Sequence, residues 1–135
     1  MKEFVDTNVF VYAYDRADQR KQEIARGLIR RLEQSGKGVV SLQVQQEFFW
    51  AATRKLRIEP LKVKAILQSW ARFETVMPSQ ATVFEAIDCS MTWQLSFWNS
   101  LVIVAAEHAR CGSVYSEDMN DQQLLRGLKI VNPFV

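Results

Sequence analysis

The sequence predicts an α/β protein, a three-layer α/β/α domain with a central parallel sheet of four to five strands. Three observations carry that expectation. Short strand-like runs alternate with longer segments of helical period, the pattern that yields parallel strands covered by helices on both faces. The first such run, Lys2 to Val5, leads straight into Asp6-Thr7-Asn8. A carboxylate therefore ends a buried strand, at the edge where open α/β sheets bind ligands. The chain has 135 residues and no internal repeat, low-complexity segment or linker, so residues 1–135 are expected to form one domain long enough to bury a core.

Taken in order, Lys2 to Val5 reads as a strand and Val9 to Tyr14 as a first helical segment, with Asp6 or Asn8 available to cap it. Asp18 caps the next helix, where Ile24, Ala25, Leu28 and Leu32 recur at one-turn spacing, and Gly36 ends it as a left-handed residue. Gly38 to Ser41 is a second strand. It leads into a helix whose core stripe is Val44, Phe48, Ala51, Ala52 and Leu56. Glu47 lies on the flank of that stripe, and Phe49 and Trp50 make the remaining circumference largely apolar, so Glu47 is a charge in a helix that expects burial. None of its one-turn neighbours, Gln43, Val44, Trp50 and Ala51, can neutralise it. It is expected to meet a cation or polar group elsewhere in the fold, a metal or an arginine from another segment being the two cations considered.

Pro60 suits the first turn of a helix whose buried side is Val63, Ile66, Leu67, Trp70 and Phe73. Glu74 to Met77 is a third strand, broken by Pro78, and Ser79 caps a helix carrying Val83, Ala86, Ile87 and Met91. Trp93, Phe97 and Trp98 form an aromatic cluster that serves either to dock a partner or, the more frequent use of such residues, to pack in the core. The apolar run that follows reads as a helix, because Asn99 is a good N-cap, Ala105 and Ala106 favour helix and Gly112 supplies a stop. Ser113 to Ser116 forms the fourth strand, ending at Asp118; Asp121 to Leu125 reads as a short helix and Lys129 to Asn132 as the last strand.

With 48% hydrophobic and 24% charged residues, the composition is that of a soluble globular protein. The longest apolar run, Leu101 to Ala106, is far short of the roughly 20 residues a membrane span needs, and no leader-like segment opens the chain, so no membrane association and a cytoplasmic location are expected. Cys89 and Cys111 are expected as reduced core residues and His108 as a helix-surface residue; a zinc site is not supported by their spacing. The net charge of +2 does not argue for nucleic acid by itself. Basic residues do cluster between Arg16 and Lys37, and again at Arg54, Lys55, Arg57, Lys62 and Lys64, where they serve either as phosphate contacts or as solvated helix faces.

Asp6-Thr7-Asn8, Glu47 in Gln45-Gln46-Glu47-Phe48-Phe49, Asn99 in Phe97-Trp98-Asn99-Ser100-Leu101, and Asp118 in Tyr115-Ser116-Glu117-Asp118 form an ordered set. That order resembles the PIN domain, most closely the VapC-type ribonuclease toxins of bacterial toxin-antitoxin pairs, over nearly the whole chain. The resemblance implies a metal-dependent endoribonuclease that leaves a 3′-hydroxyl product, with Mg²⁺ or Mn²⁺ as cofactor. The catalytic positions map onto Asp6, Glu47, Asn99 and Asp118, with Asp6, Asn99 and Asp118 as metal ligands. Thr7, Asn8 and Ser116 match supporting polar positions, and Asp121 an outer acid. An RNA substrate, a cognate antitoxin and a homodimer follow from the same resemblance. Such acids suit magnesium, which takes few carboxylates and keeps several waters. A phosphoacceptor receiver domain is disfavoured, since a lone Asp6 ends the first strand and Glu74 to Met77 supplies no aspartate.

One position departs from the family, which has an aspartate where this chain has Asn99. Asparagine keeps the shape and one ligand oxygen but removes a charge whose interaction at about 4 Å is worth roughly 4 kcal/mol at an effective dielectric near 20. Natural divergence and deliberate substitution both account for it. The alternative function is a catalytically inactive module that binds RNA or an antitoxin-like partner. A second departure is Gln122, where relatives often carry glycine.

Overall fold

The first strand, β1 (Lys2–Val5), lies inside a six-stranded sheet, between β2 (Gly38–Ser41) and β4 (Cys111–Tyr115), both parallel to it. Phe4 and Val5 are fully buried, which is why an apolar run of this length settles in the interior of the sheet rather than at its edge. This computed structural model describes all 135 residues. From β1 the chain steps outward to β2 and then to β3 (Glu74–Val76). It then returns to the other side of β1 as β4, with β6 (Leu128–Val131) beyond. A two-residue edge strand, β5 (Leu124–Leu125), closes that side antiparallel to β6. The strand order therefore reverses direction between β1 and β4. Such a switch point opens a crevice at the C-terminal ends of the two strands.

Helices cover the sheet in the three-layer arrangement the alternation implies. They are α1 (Thr7–Tyr12), α2 (Gln19–Ser35), α3 (Leu42–Arg54), α4 (Pro60–Gln68), α5 (Gln80–Trp93) and α6 (Phe97–His108). α1 packs on α2 and α3, and α5 packs on α6. No helix is long and apolar enough to cross a membrane. Asp18 caps α2 through Lys21 N, and Gly36 ends it with φ 71°. α1 starts two residues earlier than its apolar pattern suggests, because Asp6 itself is the cap and accepts from Thr7 N.

The sheet has five parallel strands, as expected, with the antiparallel β5 added at its edge. Four other expectations are corrected. Asp121 to Leu125 is not a helix: Arg126 and Gly127 take positive φ values of 50° and 82°, which turns the chain back and pairs Leu125 with Leu128. α6 is capped by Ser96, whose hydroxyl accepts from Asn99 N at 3.0 Å, so Asn99 sits within the first turn. The same helix stops at His108, before the left-handed Arg110, while Gly112 lies in β4. The helix from Pro60 also ends sooner, at Gln68; Trp70 lies in a 3-10 turn and Phe73 is extended. Cys89 and Cys111 are free and buried, and His108 is an exposed partner of Glu85.

Four aromatic rings lock the helices over β2. Phe10 stacks on Trp70 at 4.0 Å between centroids, and Phe73 and Phe48 meet this pair edge-on at 5.5 Å and 5.0 Å. Gly38 is buried against this cluster, and a Cβ there would stand 2.4 Å from a Phe73 ring carbon. Gly38→Ala should therefore lower stability by about 1–3 kcal/mol, the usual cost of overpacking a filled core, read as a shift in denaturant midpoint. An unchanged midpoint would mean that the ring moves aside freely and the cluster is not rigid.

Candidate active site

Asp6 stands where β1 ends, and its backbone N–H donates to Tyr115 O of the neighbouring strand at 2.9 Å. Its side chain is 5% exposed. Oδ1 accepts from Thr7 N at 2.8 Å and Oδ2 from the Ser116 hydroxyl at 2.9 Å. Burial pushes the Asp6 carboxyl up to about 6, the two hydrogen bonds oppose the rise, and the charges of Asp118 and Glu47 add to it. Ser116, fully buried at the end of β4, holds two parts of the site at once. Its oxygen also accepts from Asp118 N at 3.1 Å, which fixes the turn after the strand.

Glu47 is half-buried on α3, and Thr7 Oγ1 donates to its Oε1 at 2.7 Å. Neither a metal nor an arginine is needed to explain its tolerance of that position. A hydroxyl from α1 supplies the polar partner. Asp118 is exposed and both its oxygens lie within reach of Asn8 Nδ2, at 3.3 and 3.2 Å. The turn Asp6-Thr7-Asn8 thus touches every other acid of the set, since one residue is itself an acid and the next two hold Glu47 and Asp118.

These residues line one cavity of about 880 Å³, together with Asn99 from the first turn of α6. Asp6, Thr7, Asn8, Glu47, Asn99 and Asp118 come from four segments far apart in sequence. Ser116 supports the cavity from behind. Asp121 does not reach it; its carboxylate accepts from Asn132 N at 2.7 Å and ties the chain beside β6. Gln122 takes a left-handed φ of 68°, the conformation for which glycine is the less strained residue.

The rest of the lining is Gln43, Gln46, Trp50, Ala51, Lys55, Trp98 and Val102; sequence reasoning offered Lys55 as a phosphate contact and Trp98 in a cluster for docking or core packing, and missed the others. Trp50 and Trp98 are 59% and 61% exposed rather than packed inward. Helical spacing gives no signal here, because an apolar residue beside a cavity and one in a core have the same period.

The donor set is all oxygen, from carboxylates and one amide, which suits a hard divalent cation rather than zinc or copper. No trio of His, Cys, Asp or Glu side chains is gathered into a ready-made cage. Magnesium sites with few protein ligands and several waters do not require one. The residues that fit such an ion are Asp6, Asp118 and Asn99, with Glu47 beside them, and a cation there would offset the charges of Asp118 and Glu47 that add to the effect of burial on Asp6.

The PIN domain family model matches residues 4–128 of the chain. Among solved structures, the chain is similar to a toxin-antitoxin complex from Klebsiella pneumoniae, with a TM-score of 0.73 and 14% identity over 98% of each chain. It is also similar to a sarcin-ricin loop cleaving VapC toxin of Mycobacterium tuberculosis, with a TM-score of 0.70 and 16% identity over 88% of this chain and 92% of that one. A third is a VapBC assembly of Rickettsia felis bound to a promoter DNA fragment, with a TM-score of 0.69 and 13% identity over 96% and 97%. No curated protein sequence matches. At these identities the likeness is one of fold.

Because the folded protein holds Asp6 above its ordinary value of 3.8, the fold favours the protonated carboxyl. This contribution is fully present below about pH 4 and is lost as the pH rises through 6. Asp6→Asn removes the charge and keeps a capping side chain. In metal-free buffer at pH 7.5 the variant should therefore be more stable, by at most roughly 3 kcal/mol. Denaturation series from pH 4 to 8 should show the two proteins converging at the acid end; parallel curves would mean that Asp6 carries no penalty.

Proposed function

The chain belongs to the PIN domain family, and on that premise we propose that it is a metal-dependent endoribonuclease toxin of the VapC type, one half of a type II toxin-antitoxin pair. The observation that supports this most is the convergence of Asp6, Glu47, Asn99 and Asp118 on one cavity at the switch point of the sheet. Acids placed so near one another have little structural use, since the charges of Asp118 and Glu47 add to the rise that burial imposes on Asp6. Holding a divalent ion against a phosphodiester gives them one.

Mg²⁺ or Mn²⁺ would be held by Asp6, Asp118 and the Asn99 side-chain oxygen, and when bound supplies Lewis acidity toward the scissile phosphate and a more acidic water. The chain's own residues do the positioning. Ser116 and the Thr7 N–H fix both oxygens of Asp6, and Asn8 steadies Asp118. Thr7 occupies Glu47 Oε1, leaving Oε2 without a hydrogen-bond partner in the chain and able to take a proton from the attacking water.

A single cytoplasmic domain of residues 1–135 acting on RNA fits this reading, as does neutralisation by a cognate antitoxin, in keeping with the toxin-antitoxin neighbours. A homodimer is part of the same proposal. α5 leaves Val83, Phe84, Ile87 and Met91 exposed, an apolar face that a second copy would cover.

Asn99 favours a second reading, in which the fold binds RNA or an antitoxin-like partner without cutting. The two readings part at one substitution. Asn99→Asp restores a fourth acid, so Mn²⁺-dependent cleavage of RNA should rise at least tenfold over the chain with Asn99. Cleavage by neither form, with both folded and metal-loaded, would leave the binding module.

The same change has a readout that does not depend on turnover. A further negative charge should lower the melting temperature of the metal-free protein and increase the stabilisation conferred by millimolar Mn²⁺. Equal metal-induced shifts in the two forms would show that position 99 does not face the ion.

A further inference from the structure

The cavity that holds the acids has two walls of a different character. Trp50, on α3, and Trp98, on α6, both line it, and both indoles remain more than half exposed. Large aromatic rings left in water beside a cleft usually meet a partner there. Each is also braced. Phe97 meets Trp98 edge-on at 5.3 Å, and the Arg54 guanidinium lies 5.4 Å over the Trp50 ring. Bracing of this kind lowers the entropy lost when a ligand stacks.

Electrostatics explains why such rings are needed. The net charge is only +2, the cavity carries Asp6, Glu47 and Asp118, and Lys55 is its one cationic lining residue. A polyanion gains little from charge at this mouth. Stacking on neutral base faces supplies attraction that the carboxylates do not oppose, and it is sequence-tolerant because every base has such a face.

We infer that Trp50 and Trp98 are stacking platforms that hold unpaired bases on either side of the phosphate presented to the acids, with Lys55 on the neighbouring backbone and Gln43 and Gln46 at the base edges. This rests on the nuclease reading for the role of the acids, and adds to it the two side chains that hold the substrate's bases. A protein helix is the poorer fit. The apolar lining is limited to Trp50, Ala51, Trp98 and Val102, interrupted by Gln43, Gln46, Asn99 and Lys55, without the continuous stripe a docking helix requires.

The test uses the chain as it stands, with Asn99, and a single-stranded oligoribonucleotide of about ten residues. Binding should quench tryptophan fluorescence. Trp50→Ala and Trp98→Ala should each weaken affinity by about 5- to 100-fold, the range for loss of one stacked base. Trp50→Phe and Trp98→Phe should recover most of it, which a merely structural role would not produce. An abasic oligonucleotide of the same length should bind the native chain weakly and lose nothing further in the alanine variants. Matching denaturation midpoints for all four variants exclude misfolding.

Unchanged oligonucleotide affinity in both alanine variants would overturn the inference, and loss of homodimer or partner binding in those variants would then assign the indoles to protein docking. The outcome is separable from that of the nuclease reading. An Asn99→Asp protein that fails to cut while the indole-dependent binding persists removes the enzyme and keeps the platforms. One that cuts equally with or without the indoles keeps the enzyme and removes the platforms.

Discussion

Everything at this site depends on one buried carboxylate held at the end of a central strand. Asp6 cannot be displaced without cost, because one oxygen caps α1 and the other receives the hydroxyl of Ser116 from β4. The bond from Ser116 joins the two strands between which the sheet reverses direction, so the side chain is fixed by the topology as much as by local chemistry. The same residue starts the helix that carries Thr7 and Asn8. Through those two neighbours the position of Asp6 is passed to Glu47 and to Asp118. A six-residue helix has little stability of its own, and α1 persists because Val9 and Phe10 are fully buried on the core. Packing of the aromatic cluster and placement of the acids are therefore one problem.

Much of this was legible in the sequence because it follows from period and punctuation. Alternating short apolar runs and helical stretches gave the parallel sheet, and Asp18, Gly36 and Pro60 marked helix ends where the structure has them. The failures have a common origin. Asp121 to Leu125 was read as a helix because two leucines and polar neighbours are too few to distinguish helix from hairpin, and the left-handed Arg126 that decides the matter is not a residue type that announces a turn. Asn99 was read as a cap because it precedes an apolar run, yet Ser96 three residues earlier competes for that place and wins with its hydroxyl.

At the site, the acids and the residues that hold them could be named from the order in which they occur, whereas the tryptophans could not. Hydrophobic patterning sorts residues by whether they avoid water, and both Trp50 and Trp98 answer to that description. Only the three-dimensional arrangement shows that they avoid it incompletely, at the mouth of a polar cavity. Glu47 was legible only in part. Its local surroundings called for a cation or polar group from elsewhere in the fold, and the group is a neutral hydroxyl forty residues away, whose identity no local pattern contains.

Asn99 bears on how the charges of the cavity balance. Burial, with smaller additions from the charges of Asp118 and Glu47, already raises Asp6 to about 6, so a further carboxylate at position 99 would add repulsion in the absence of a cation and attraction in its presence. Stability of the metal-free protein and affinity for a divalent ion are therefore opposed at this position, and asparagine resolves the conflict in favour of stability. The helix does not register the change, because the Asn99 backbone N–H, not its side chain, makes the bond to Ser96. The side chain is thus free to be chosen for what the cavity requires. An amide there leaves the fold, the neighbouring indole and the rest of the acid set in place while weakening the one interaction that only a bound cation would reward.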